Sequence, residues 1–198
     1  MNVKDKETVY QLKISLIESK PKIWRRVLVK PDLLLEDLHK IIQTVMGWEN
    51  YHLHQFKKDG ILYVPESPEE DGFLTSSKLY IYSHTKVSDL LKAEKDKLKY
   101  EYDFGDSWEH EIVLEKILSL KGSVDYPVCT GGKKNCPPED CGGIWGFHNI
   151  LKILKDPDHK EYDENLEWMG KEYDPDYFNQ RVVNARLKTR DYGCYIYE

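Results

Sequence analysis

Polar and apolar residues alternate over residues 9–17 (V-Y-Q-L-K-I-S-L-I), which places Tyr10, Leu12, Ile14 and Leu16 on one face of a half-buried strand. Ser19, Lys20 and Pro21 form a turn, and Ile23, Val27 and Val29 continue as its antiparallel partner. Arg25 falls on the inward side of that partner, so a twist or bulge is expected there. The period then changes from two to helical. Leu35, Leu38, Ile41, Ile42, Val45 and Met46 share one face of a helix opened by Pro31 and Asp32, with Asp32 as N-cap, and closed by Gly47.

Two more hairpins follow. Tyr51–Lys57 and Ile61–Val64 flank an Asp59-Gly60 turn, whose residues tolerate the positive φ that a tight hairpin needs. Residues 65–78, rich in Pro, Glu, Ser and Gly, read as a loop, and Val87, Leu90 and Leu91 as a short helix. Leu98–Asp103 and Trp108–Ile117 form the third hairpin around Phe104-Gly105-Asp106-Ser107. A cysteine-rich loop comes next, then a helix over Ile144–Lys155, a polar stretch, and a last helix over Pro175–Leu187. The tail, R-D-Y-G-C-Y-I-Y-E, is expected to add an edge strand or hang free. The pattern predicts an α+β fold, a largely antiparallel sheet of hairpins packed with helices. One domain is expected over 9–187, sheet-rich over 9–120 with the cysteine loop and helices over 121–187, flanked by an arm at 1–8 and a tail at 188–198.

At 198 residues, 40 % hydrophobic and 12 % aromatic, the chain suits a single folded unit. A net charge of −6 argues against a general nucleic-acid coat. Lys20, Lys22, Arg25, Arg26 and Lys30 form a local basic run that reads first as the solvated face of a hairpin. No apolar run reaches membrane-spanning length and the start lacks a signal peptide's apolar stretch, so a cytoplasmic location is expected. In that compartment clustered cysteines read as metal ligands or reactive thiols before disulfides.

Three of the four cysteines lie within thirteen residues. Cys129, Cys136, Cys141 and His148, separated by six, four and six residues, could supply the soft donors of a tetrahedral structural zinc site. The same residues also read as loose thiols in a surface loop, as a Cys136–Cys141 bridge, or as a thiol–disulfide switch. A second constellation, D-F-G-D-S-W-E-H-E, puts Asp103, Asp106 and His110 at a hairpin turn, where carboxylates and an imidazole could hold a hard cation or do acid–base work. Ordinary turn formation by the aspartates and an interior role for His110 are the structural alternatives. His52 and His54 alternate onto one strand face, and Glu139 and Asp140 could bond loop amides or supply oxygen ligands. Cys194 joins no cluster. Trp24, Trp48, Trp108, Trp145 and Trp168 each stand near a turn or an element end, as core packing or as an aromatic groove.

Several segments together resemble the plasmid pRiA4b ORF-3-like family: I-W-R-R-V-L-V, D-L-H-K-I-I-Q-T-V-M-G-W, H-L-H-Q-F, Y-E-Y-D-F-G-D-S-W-E-H-E-I and C-P-P-E-D-C-G-G-I-W-G-F. The resemblance runs from about Tyr10 to Leu187. It implies, by association, a link to mobile elements, since relatives include a passenger protein of certain insertion elements. The chain departs from the family pattern at Leu34, where a small capping residue is expected before the first helix. It shows neither the basic tail nor the arginine-rich serine site of a serine recombinase. The functional expectation is a non-catalytic accessory module with an unidentified protein or nucleic-acid partner, and the alternative is a metal-dependent hydrolase or nuclease.

Overall fold

The computed structural model describes residues 8–66, 78–120 and 124–196. Eight strands form one sheet: β1 Thr8–Leu16, β2 Trp24–Val29, β3 His54–Lys58, β4 Ile61–Val64, β5 Lys78–Ile81, β6 Lys97–Tyr102, β7 Trp108–Ser119 and β8 Val128–Lys133. Their spatial order is β5-β4-β3-β6-β7-β1-β2-β8. Neighbours are antiparallel except β4 and β5, which run parallel. The helices are α1 Leu35–Met46, α2 Val87–Leu90, α3 Gly143–Ile153, α4 Tyr162–Met169 and α5 Gln180–Leu187. This is the α+β, largely antiparallel architecture that the three hairpins predict. Among the described residues, no helix is long and apolar enough to cross a membrane.

The period-two pattern selects one face of the sheet for burial. Leu12, Ile14, Val27, Phe56, Leu98, Tyr100, Tyr102, Trp108, Ile112 and Leu114 are fully buried and join the apolar stripe of α1 in one core. Each such side chain contributes about 1.5–3 kcal/mol through the area it removes from water. Part of the opposite face is polar: Glu115 on β7 accepts hydrogen bonds from Gln11 on β1 and, in bidentate fashion, from Arg26 on β2.

Several local expectations shift. α1 starts at Leu35 rather than at Pro31, because Leu34 is its N-cap and makes no side-chain cap bond. The orphan donor at Leu35 is satisfied instead by the Thr85 carbonyl at 2.9 Å. Gly47, at φ 96°, closes the helix as expected. The β1–β2 register runs straight through Arg25, and the irregularity lies beside it, between Arg26 and Val27 where β2 meets β8. β8 was not anticipated. Cys129 therefore lies on a strand, and only the remainder of the cysteine segment is loop.

α4 fills what reads as a polar stretch, and α5 begins at Gln180 because the Asn179 side chain caps it, accepting from the Arg181 and Val182 amides. The described part of the tail, 188–196, neither pairs as a strand nor hangs free. Residues 190–193 form a 3₁₀ turn, Asp191 binds Lys40 of α1 at 3.2 Å, and Cys194 is buried. The loop expected over 65–78 ends in β5, and its stretch 67–77 lies outside the described residues, as does nearly all of the arm expected at 1–8.

Candidate metal centre

At one end of the sheet three segments meet: residues 48–53 after α1, the β6–β7 turn, and the loop 134–142 after β8. Tyr102, the last residue of β6, ties them together. Its hydroxyl accepts the Tyr51 amide at 3.0 Å and donates to the Glu139 carboxylate in a short hydrogen bond. The other Glu139 oxygen accepts the Glu49 amide at 2.8 Å, and the Trp48 indole donates to the Pro137 carbonyl at 3.0 Å. Burial, with Glu139 adding to it, pushes the Tyr102 phenol well above its ordinary range, so it stays a donor. The cysteine loop is thereby held down over the sheet end.

This arrangement brings the His52 Nε2 to 3.3 Å from Asp140 Oδ1 and 3.7 Å from Asp103 Oδ2. Neither approach has hydrogen-bond geometry, and Nε2 is a buried polar atom without a partner. Asp103 is buried, at φ 58°, with its Oδ1 accepting the Gly105 amide at 2.9 Å; this turn bond aims Oδ2 at His52. Asp140, also at positive φ, stands toward solvent. One imidazole nitrogen and two carboxylate oxygens, all within 4.8 Å of one another, form the sole such grouping of His, Cys, Asp and Glu among the described residues. This mixed N/O set suits a borderline-to-hard divalent cation, and three protein donors leave coordination positions open.

The residues singled out from sequence are distributed differently. Asp103 belongs to this cluster, but Asp106 and His110 do not. His110 lies two residues into β7 on the core face, fully buried, with its ring edge-on to Trp48 at 5.2 Å. Its Nδ1–H donates to the Trp108 carbonyl at 2.9 Å, and burial pushes its pKa down to about 3, so it is a neutral interior histidine. Asp106 turns toward the Cys141 side of the loop, where its charge helps to raise that thiol's pKa. His54 stacks face to face on His39 at 3.5 Å and bonds Tyr82 at 2.5 Å, away from His52.

No three of the four residues read as a zinc set bring their ligand atoms within 4.8 Å of one another. Cys129, Cys136 and Cys141 are buried and free, and Cys194 is free as well. Burial pushes the Cys136 and Cys141 thiols up to about 12, which keeps them protonated. The Cys129 Sγ–H reaches the Gly131 carbonyl at 3.6 Å, and Cys141 the Gly143 carbonyl at 3.9 Å. His148, on α3, accepts the Lys20 amide at 3.3 Å on the far side of the loop. The cationic neighbour of Cys129 and Cys136 is Arg25. Its guanidinium is buried, donates to the carbonyls of Val45, Trp24 and Lys133, and lies 4.5 Å over the Phe178 ring. The expected basic run thus has its central member pointing into the core.

In the sequence His52 and Asp140 stand as separate candidates, with nothing local to join them. They stand 88 positions apart, and the Tyr102–Glu139, Glu49–Glu139 and Trp48–Pro137 bonds fold one over the other. The missing signal was the loop's destination.

The chain is 35 % identical over 182 residues to the uncharacterised protein y4hQ of Sinorhizobium fredii, covering 91 % of each chain. It is similar to the crystal structure of MM3350, a protein of unknown function from Methanosarcina mazei, with a TM-score of 0.79, 40 % identity, and coverage of 88 % of this chain and 97 % of that one. The model of the plasmid pRiA4b ORF-3-like proteins matches residues 8–182, a span that takes in the sheet, the cysteine loop and the candidate centre. The chain belongs to the plasmid pRiA4b ORF-3-like family.

Proposed function

We propose that this protein is a divalent-cation-dependent binding module, in which an ion at His52, Asp103 and Asp140 locks the cysteine loop onto the sheet end and shapes a recognition surface. The observation that carries this reading is the His52 Nε2, buried, unpartnered and aimed between two carboxylates. A cation there would satisfy that nitrogen and neutralise the two carboxylates. Zinc or manganese fits the donor set, at these residues rather than at the thiols. The buried, protonated cysteines and Arg25 act as interior packing that fixes the loop's root. A cytoplasmic location and an accessory role beside a mobile element's machinery complete the proposal; the latter is supported by the family's plasmid description alone.

Metal-assisted hydrolysis is the second reading, favoured by the coordination positions that three protein donors leave open to water. Gly105, Asp106 and Ser107 and the start of α3 border a cleft of about 370 Å³ that none of the three donors lines, with Trp145 exposed at its rim. Manganese titration of the purified chain tests the first reading; one saturable site per chain, lost in His52→Ala, is the expected result. Turnover of phosphoester or peptide substrates that requires the same cation and the same three residues would move the assignment to the second.

A further inference from the structure

On the far side of the cysteine loop, a cavity of about 630 Å³ opens between the β1–β2 turn, the end of β8, α3, α4 and the loop after α4. That volume lies within the range of small-molecule sites. Its floor is apolar and partly aromatic: Phe147, Leu151, Leu154, Tyr162, Leu166 and Tyr173. The floor is fixed, since Phe147 meets Tyr173 edge to face at 6.4 Å and the Tyr173 hydroxyl donates to the Cys136 carbonyl at 2.9 Å. The rim is cationic. Lys20, Lys134, Lys152 and Lys155 line it against one carboxylate, Asp176, which Lys134 already pairs. In a chain of net charge −6, the three lysines left after the Lys134–Asp176 pair make the edge of this apolar hollow a local reversal of sign.

We propose that this cavity binds a small amphipathic organic anion, an aliphatic or aromatic body ending in a carboxylate. The body would lie on the Phe147–Tyr173 floor, and the carboxylate at the lysine rim. A single exposed lysine attracts an anion only weakly, but several beside a low-dielectric wall focus their field on one end of the hollow. Their methylene stems extend the apolar wall up to the charged heads. A neutral ligand would forgo the rim and a cation would be repelled by it. This site shares no residue with the His52 centre, though both border the loop 134–142.

Decanoate is the probe, titrated calorimetrically into the full chain with decanol as the uncharged control. We expect one saturable decanoate site, at least tenfold weaker binding of decanol, and at least tenfold weaker decanoate binding in Lys152→Glu/Lys155→Glu, whose positions are exposed and do not threaten the fold. Leu151→Trp, checked for folding by circular dichroism, is expected to abolish binding by filling the floor, and His52→Ala to leave it unchanged. Failure of decanoate to saturate, equal affinity for decanol, or indifference to the lysine reversals would overturn the proposal. So would concentration-dependent dimerisation lost in Leu151→Trp, which would make the groove a self-association surface.

Discussion

His110 and His52 carry the same side chain in different surroundings, one fully buried in the core and one part-exposed at the sheet end. His110 enters the core on β7, takes one carbonyl bond and is held neutral by burial to about 3. His52 sits in a loop at the sheet end, part-exposed, with its Nε2 between two carboxylates. Burial turns the first into packing, while the second stands part-exposed beside two carboxylates, where the proposed cation would sit. The comparison also separates two kinds of clustering. The cysteines are close in sequence but read out as core, whereas His52, Asp103 and Asp140 are far apart in sequence and converge.

The core half of this comparison predicts the largest effects. Trp48 is buried against Tyr102, Trp108 and His110, and its indole anchors the loop at Pro137. Trp48→Ala is expected to cost about 3–5 kcal/mol in chemical denaturation and to release the loop, weakening cation binding as well. A Trp48→Ala protein that keeps its cation affinity would show that the loop is held by other means.

Acid should act through the interior histidines. His39 is held to about 4 by burial, with Tyr100 and Asn50 bonding its two nitrogens and Lys40 opposing its protonation. Folded His39 and His110 stay neutral where the unfolded chain takes up protons near pH 6.5. Their full contribution is therefore present above about pH 6.5, falls as the pH drops below it, and levels off below about 4 for His39 and about 3 for His110. At about 1.4 kcal/mol per pH unit, each should remove about 3 kcal/mol or more across its window, read as a falling denaturation midpoint. His39→Gln should flatten the upper part of that slope.

Smaller effects belong to the surface half. Tyr102→Phe removes the hydroxyl shared by Tyr51 and Glu139 and is expected to cost about 1–3 kcal/mol, with a several-fold loss of cation affinity. His52→Ala should change stability by no more than about 0.5 kcal/mol in the absence of added cation, yet weaken cation binding at least tenfold. A large stability loss in His52→Ala would make that histidine a packing residue like His110.

Much of the sheet was legible because alternation and turn chemistry act over a few residues. The Asp59-Gly60 turn, at φ 50° and 79°, and the face shared by Tyr100 and Tyr102 follow from local rules. β8 was not legible: V-C-T-G-G-K lacks the alternation of an ordinary strand. It is held by pairing to β2 on one edge and by the Gln180 and Asn184 side-chain amides at Cys129 on the other. The start of α1 was misplaced because its first donor is met by Thr85, a partner 50 residues away. The candidate centre was half legible. Asp103 stood out as a turn carboxylate, but its partners depend on where the loop 134–142 docks, which no local pattern specifies.

The central claim is tested most directly by calorimetric titration of manganese into the wild-type chain, His52→Ala and Asp103→Asn, under reducing conditions. Asn suits Asp103 because it tolerates positive φ and keeps the oxygen that accepts the Gly105 amide. The account predicts one cation per chain, at least tenfold weaker binding in both variants, and unchanged binding in Cys136→Ser/Cys141→Ser. Equal affinity in all four proteins, or loss of binding only in the cysteine variant, would contradict it.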